Sequence, residues 1–194
     1  ITLILVTWIT WMYKIYIESI RLSGSTENKI QAIQIAREWI EAMTNIRDTN
    51  WILFSSDYQN CWNPLNYNAT CIWDTTDAYD MTSWNYKIYQ NITNNRWYLT
   101  WSIAWSYLVP AYKTAYRVWL DSEWFYTQSW SITDLVPLYT REIKINYIDT
   151  NWGAVDSNDE KMEVTSLVQW TYRSSTSVHK VELKTILSNW KNKK

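Results

Sequence analysis

The feature that most limits what this chain can fold into is its first 48 residues, which hold no proline and change character halfway along. Residues 1–17 are apolar apart from three threonines and Lys14. A bilayer span usually needs about 20 such residues, so this run is at the short end, with Lys14 placed to reach its amine to the interface. A cleaved signal peptide has a basic start, a shorter apolar core and a small-residue exit. This segment has none of these and runs on into helix. Leu3, Ile4, Val6, Ile9, Met12, Ile15 and Ile17 are therefore expected to face lipid or partner helices, the competing reading being a buried core helix. In residues 26–48, Ile30, Ile33, Ala36, Ile40, Met43 and Ile46 recur at spacings of three and four. That spacing predicts one apolar stripe packed on a sheet. Gly24 and Ser25 bend the path at most, so the expectation is one helix of about 45 residues, ending at Asp48-Thr-Asn.

Beyond the helix the pattern changes. Residues 52–83 are rich in Asn, Asp, Ser and Thr and contain both cysteines, Cys61 and Cys71. Outside the cytoplasm these form a disulfide, closing a loop worth roughly 2–3 kcal/mol in the chain-entropy description. Two free thiols are the alternative. From residue 84 the period becomes two. Asn85–Ile92 and Arg96–Thr100 read as a hairpin turning at Asn94-Asn95, and Glu123–Thr127 as a short strand. Tyr139–Ile148, Met162–Arg173 and Val178–Leu187 follow, the last two joined across Ser174–Ser177. Ile143, Ile145, Val168, Trp170, Val181 and Leu183 are the expected sheet core, with Tyr147 on the same side as the two isoleucines. Charges at alternate positions predict one wet face, as in an antiparallel sheet backed on one side. Residues 100–121, with Pro110 in their middle, fit helix or strand equally. The fold class is thus α+β. Residues 1–25 are its apolar membrane or filament half. Residues 26–192 are a globular head: amphipathic helix 26–48, disulfide loop 52–83 and antiparallel sheet 84–190.

Composition adds one anomaly. The chain holds 16 Trp and only 2 Gly, whereas Gly is normally about 7% of residues. Trp73, Trp84, Trp101 and Trp152 lie among turn-forming residues, where Gly supplies a left-handed backbone and Trp offers nothing. Trp51, Trp97, Trp170 and Trp190 sit in apolar or strand-like settings. The expectation is that several Trp stand where the organism places Gly, through a UGA codon read as glycine. A Trp-rich binding protein is the alternative.

The chemistry of catalysis is missing. One histidine, His179, excludes most triads, and no GxSxG or HExxH occurs. Restoring Gly at Trp positions creates no phosphate-binding loop. Asp74 with Asp77, or Asp156, Asp159 and Glu160, offer oxygen ligands for Ca²⁺ but lack the EF-hand order, and read as solvated turns. Asn68 and Asn91 begin glycan-acceptor triplets that matter only in a host with that machinery. A net charge of −1 gives no basic stripe for nucleic acid.

A long apolar-then-amphipathic helix, a loop and an antiparallel sheet together resemble the type IV pilin and pseudopilin family. Ala36-Arg-Glu-Trp-Ile-Glu-Ala-Met-Thr-Asn-Ile-Arg-Asp-Thr-Asn-Trp51 is similar to the helix end of a group of bacterial pilin-like proteins that carry Gly where this chain has Trp39. Val164–Trp170 and Val181–Trp190 resemble the last two strands of that group. The resemblance covers residues 1–52 and 136–192. Mature pilins begin with Phe-Thr-Leu and carry Glu at the fifth place; here Ile1-Thr-Leu-Ile-Leu5 has Leu there. Tyr13 and Tyr16 fall about eight residues early on that family's pattern, so the written chain is expected to start inside the apolar segment; a true start with Leu5 is the rival. The resemblance implies a structural subunit of a pilus or secretion filament, anchored in the cytoplasmic membrane before assembly and displayed at the cell surface. Its partners would be copies of itself, other pilins and the assembly machinery. It implies no cofactor, no metal, no enzymatic role and no nucleic-acid ligand, with DNA uptake left open. A membrane-tethered binding module holding glycans on its aromatic head is the alternative.

Overall fold

The computed structural model describes residues 2–57, 60–72, 80–91, 93–101, 116–120, 126–127, 139–148, 161–171 and 178–189. Trp73, Trp152, Trp190 and both acidic groups singled out above lie outside these residues. One helix, α1, runs from Thr2 to Leu53 without interruption. At about 1.5 Å per residue it is roughly 78 Å long. Two short 3₁₀ turns follow, Leu65–Tyr67 and Ala69–Ile72. The strands are β1 Asn85–Asn91, β2 Arg96–Trp101, β3 Trp119–Leu120, β4 Tyr126–Thr127, β5 Tyr139–Tyr147, β6 Lys161–Thr171 and β7 Val178–Ser188. Five of them form one antiparallel sheet in the order β2-β1-β5-β6-β7, and β3 pairs with β4. This is an α+β fold, one long helix on an open antiparallel sheet.

The sheet's inner face follows the period of two. Met162, Val164, Ser166, Val168 and Trp170 of β6 are buried, as are Tyr139, Ile143, Ile145 and Tyr147 of β5. Val181 is buried as well, and Leu183 is half-buried at the margin of the same cluster. The β1–β2 turn has Asn95 in the left-handed region (φ 54°), which Asn tolerates better than most residues. The other non-glycine left-handed residues described are Asn66 and Tyr67. Trp84 and Trp101 are not among them, so a left-handed backbone is not what a glycine would supply at either.

On α1 the buried stripe differs from the expected one. Ile30 and Ile33 are 51% and 38% exposed and are not core, and Ile40 is half-buried. The buried side is Ala32, Ile35, Ala36, Trp39, Ala42, Met43 and Ile46. At about 100° per residue these seven share one face, while Ile33 and Ile40 fall on its flank and Ile30 on the opposite side. Small side chains decide the matter. Ala32, Ala36 and Ala42 let the helix backbone lie close to the sheet, where a row of isoleucines would hold it off. Ala36, Met43 and Ile46 belong to both stripes.

The helix also overruns its expected end by a turn. Asn50 is buried with its amide nitrogen 3.4 Å from the carbonyls of Trp62 and Pro64. Trp51 is buried under the Arg47 guanidinium, 4.6 Å from the ring centroid, and its indole N–H donates to Asn189 at 3.3 Å. These tertiary contacts outweigh the local stop signal of Asp48-Thr-Asn.

The outer sheet face is only partly wet. Lys144, Glu182 and Lys184 are exposed there, but Glu142, Thr165 and Gln169 are buried. The cover includes Tyr116, whose segment joins the edge of β5 through an Arg117–Thr140 bridge and a Val118 N–H to Tyr139 carbonyl bond of 3.0 Å. In urea unfolding of the detergent-solubilised chain, Ile35→Ala should cost about 2–4 kcal/mol and Ile33→Ala under about 1 kcal/mol. Equal losses would contradict the stripe.

Candidate functional surface: the free half of the helix and the buried charges of the head

Residues 2–23 of α1 are exposed all round. The large apolar side chains among them include Leu3, at 79% exposure, and Ile4, Val6, Ile9, Met12, Ile15 and Ile17. Covering a large apolar side chain is worth roughly 1.5–3 kcal/mol, so this stretch in water forgoes tens of kcal/mol. Two of its hydroxyls bond within the helix. The Thr7 hydroxyl donates to the Ile4 carbonyl at 2.8 Å, and that of Thr10 to the Val6 and Thr7 carbonyls at 3.0 and 2.9 Å. A helix that satisfies its own polar atoms is the kind that enters lipid or a bundle of like helices. By length and composition α1 is long and apolar enough to cross a membrane. Charge begins at Lys14 and continues with Glu18 and Arg21, paired at 3.8 Å.

The second half of α1 meets the head's buried charges. Arg141, projecting inward from β5, is fully buried, its Nη1 3.7 Å from Glu38 Oε2. Its guanidinium carbon stands 3.0 Å from the centroid of the Trp39 ring. Carbon atoms in contact prefer about 3.5–4.0 Å, so this stack is crowded. The Trp39 indole nitrogen is buried with no hydrogen-bond partner among the described residues. Burial pushes the Glu38 carboxyl up, with Arg141 pulling it down and Glu41 pushing it further up.

On the outer face, Glu142 is 6% exposed and lies among Tyr116, Thr140, Leu167 and Gln169. Burial pushes its carboxyl up to about 7, Lys144 offsetting part of the effect. Burial likewise pushes the Tyr116 hydroxyl up to about 12, with Glu142 adding to it, and lowers the Lys87 ammonium, which stands 5.5 Å from the Tyr116 ring. Neither Arg141 nor Glu142 was singled out from sequence. Alternation placed Arg141 on the inner face beside Ile143, and that inward charge was the available signal.

The structure joins Cys61 to Cys71 in a disulfide with Cα atoms 5.4 Å apart, packed beside Phe54. His179 stacks on Trp170 with ring centroids 5.5 Å apart. Among the described residues no group of three His, Cys, Asp or Glu side chains is placed to hold a metal ion. Compared with protein-family models, curated proteins and solved structures, the chain matches none.

Glu142 gives the head a pH dependence with a definite sign. Its proton is held in the folded state and lost in the unfolded state between pH 4.5 and about 7. The associated stability is full below that window and lost as pH rises through about 7. Glu142→Gln should therefore stabilise the chain at pH 8 by up to about 2–3 kcal/mol and leave it unchanged at pH 4.5, measured by urea midpoints. A variant with no greater stability at pH 8 would contradict the burial of that carboxyl.

Proposed function

We propose that the chain is a structural subunit of a type IV pilus or a related secretion filament. The observation that carries this reading is the division of α1. One half is core to the head, and the other half is apolar on every side and uncovered. Lipid covers that half while the subunit waits in the membrane. In a filament the same half of neighbouring copies covers it, an exchange of lipid contacts for helix contacts that costs little. Head-to-tail repetition of one contact gives an open helical assembly. The subunit works at the cell surface with copies of itself, other pilins and an assembly machinery, and carries out no catalysis. Sheared surface filaments should contain this chain, with the unassembled pool in the cytoplasmic membrane. Membrane-bound chain with none in filaments would overturn the reading.

The same reading takes position 39 as glycine in the organism. Support comes from the crowded Arg141 stack, the unpartnered indole nitrogen and the alanines at 36 and 42 on the same helix face. A fully buried Trp→Gly change in a helix ordinarily costs about 4 kcal/mol or more. Trp39→Gly should instead change stability by less than about 1 kcal/mol, because Arg141 and Glu38 close up beneath a smaller residue. UGA codons are expected at Trp39, Trp73, Trp84, Trp101 and Trp152; UGG at all five would remove the recoding.

A second reading, a membrane-tethered module that binds glycans, draws on tyrosines that no recoding affects. Tyr89 and Tyr98 stack across β1 and β2 with centroids 5.8 Å apart, and Tyr67 meets Tyr98 edge-on at 5.4 Å. Retention of the chain on a glycan array, lost in Tyr98→Ala, would favour it over the filament reading.

A further inference from the structure

At one end of the sheet lies β2, paired on its other side with β1. In an antiparallel pair alternate residues turn their N–H and C=O away from the partner strand. On β2 those residues include Trp97 and Leu99. Open edges of this kind are templates for another strand, and folded proteins cover or blunt them. Here the cover is the disulfide loop. Asn66 donates from Nδ2 to the Leu99 carbonyl at 2.8 Å, and its Oδ1 accepts the Leu99 N–H at 2.8 Å. The Tyr67 hydroxyl donates to the Trp97 carbonyl, also at 2.8 Å. One side-chain amide thus presents to Leu99 the donor and acceptor that a sixth strand's peptide group would present.

The cover has to be held in place. Asn66 and Tyr67 both sit in the left-handed region, at φ 55° and 60°. For Tyr this costs on the order of 1 kcal/mol and persists only where the surroundings enforce it. The surroundings are the ring closed by Cys61 and Cys71 and its two moorings. Asn50 of α1 reaches the Trp62 and Pro64 carbonyls, and Asn63 donates to the Tyr147 hydroxyl at 2.7 Å. The Arg96 guanidinium lies 5.4 Å over the Tyr67 ring and adds a third contact from β2 itself.

We propose that this loop is a redox-set latch over the β2 edge. With the Cys61–Cys71 bond closed, Asn66 and Tyr67 seal the edge; with the bond reduced, the edge accepts the β2 edge of a second copy. A dithiol carries out the opening. It delivers two electrons and two protons, the S–S bond breaks, thiols form at Cys61 and Cys71, and the reductant closes its own disulfide. The occupant follows from what the edge displays. Leu99 offers one donor and one acceptor in an antiparallel array, and the same edge turned by a two-fold axis complements it. The latch holds whether or not the chain builds filaments. In an assembly that crowds many heads together, it would keep contacts from forming edge to edge.

Hydrogen exchange read by mass spectrometry on the full chain in detergent tests this, with and without dithiothreitol, beside Asn66→Ala with its disulfide intact. At a protein concentration low enough to keep the chain monomeric, reduction and the substitution should each speed exchange of the Leu99 amide by about tenfold or more, while the Val164 amide inside the sheet keeps its protection. At higher protein concentration, sedimentation velocity should show dimers in both conditions, with Leu99 protected again, and none in the oxidised parent at the same detergent concentration. Leu99 protection that survives reduction in the dilute monomer would overturn the proposal. So would its loss without dimers, or loss at Val164 as well, which would make the bond a support of the whole sheet.

Discussion

The rest of the structure depends on the line of contact between the alanine-bearing face of α1 and strands β6 and β7. Ala32, Ile35 and Ala36 meet Val168, Trp170 and Val181 in one cluster, and Trp39 to Ile46 meet Met162, Val164 and Leu187 in another. Because the helix is continuous, fixing residues 32–51 on the head also fixes the direction in which residues 2–23 leave it. The apolar half therefore leaves the head as a continuation of the helix axis and not through a loop. In the assembly proposed above, that fixed direction would let neighbouring copies meet in one geometry.

How much of this was legible in the sequence depended on how local each cause is. The helix, its division and the strand order in the chain came through because periodicity is written residue by residue. The buried face of the helix was misplaced at Ile30, Ile33 and Ile40 because isoleucine was weighed above alanine, whereas small side chains let a face approach the sheet closely. The helix end was misplaced because Asn50 and Trp51 are held by Trp62, Pro64 and Asn189, residues remote in sequence. The covered patch over Glu142 could not be foreseen for the same reason. Its roof includes Tyr116, from the stretch around Pro110 that fitted helix and strand equally. The edge cover by Asn66 left no sequence signal beyond a loop rich in Asn.

Arg141 and Glu38 set the register of the helix on the sheet. Arg141 and Glu38 lie between helix and sheet, and Glu142 lies beneath Tyr116. A pair with one partner fully buried gains little net stability over a well-packed apolar contact, but it penalises any register in which the partners separate. Arg141 on β5 and Glu38 on α1 thus fix where along the sheet the helix sits. The crowding of Arg141 against Trp39 falls at this same point, which makes the identity of residue 39 a matter for the whole helix–sheet joint.

The central claim is that one continuous helix does two separable jobs. A chain shortened to residues 26–194 tests it most directly, by near-ultraviolet circular dichroism and urea unfolding beside the full chain in detergent. The account predicts a monomer soluble without detergent, with the full chain's aromatic spectrum and urea midpoint. A shortened chain that is unfolded, or that still needs detergent, would contradict it.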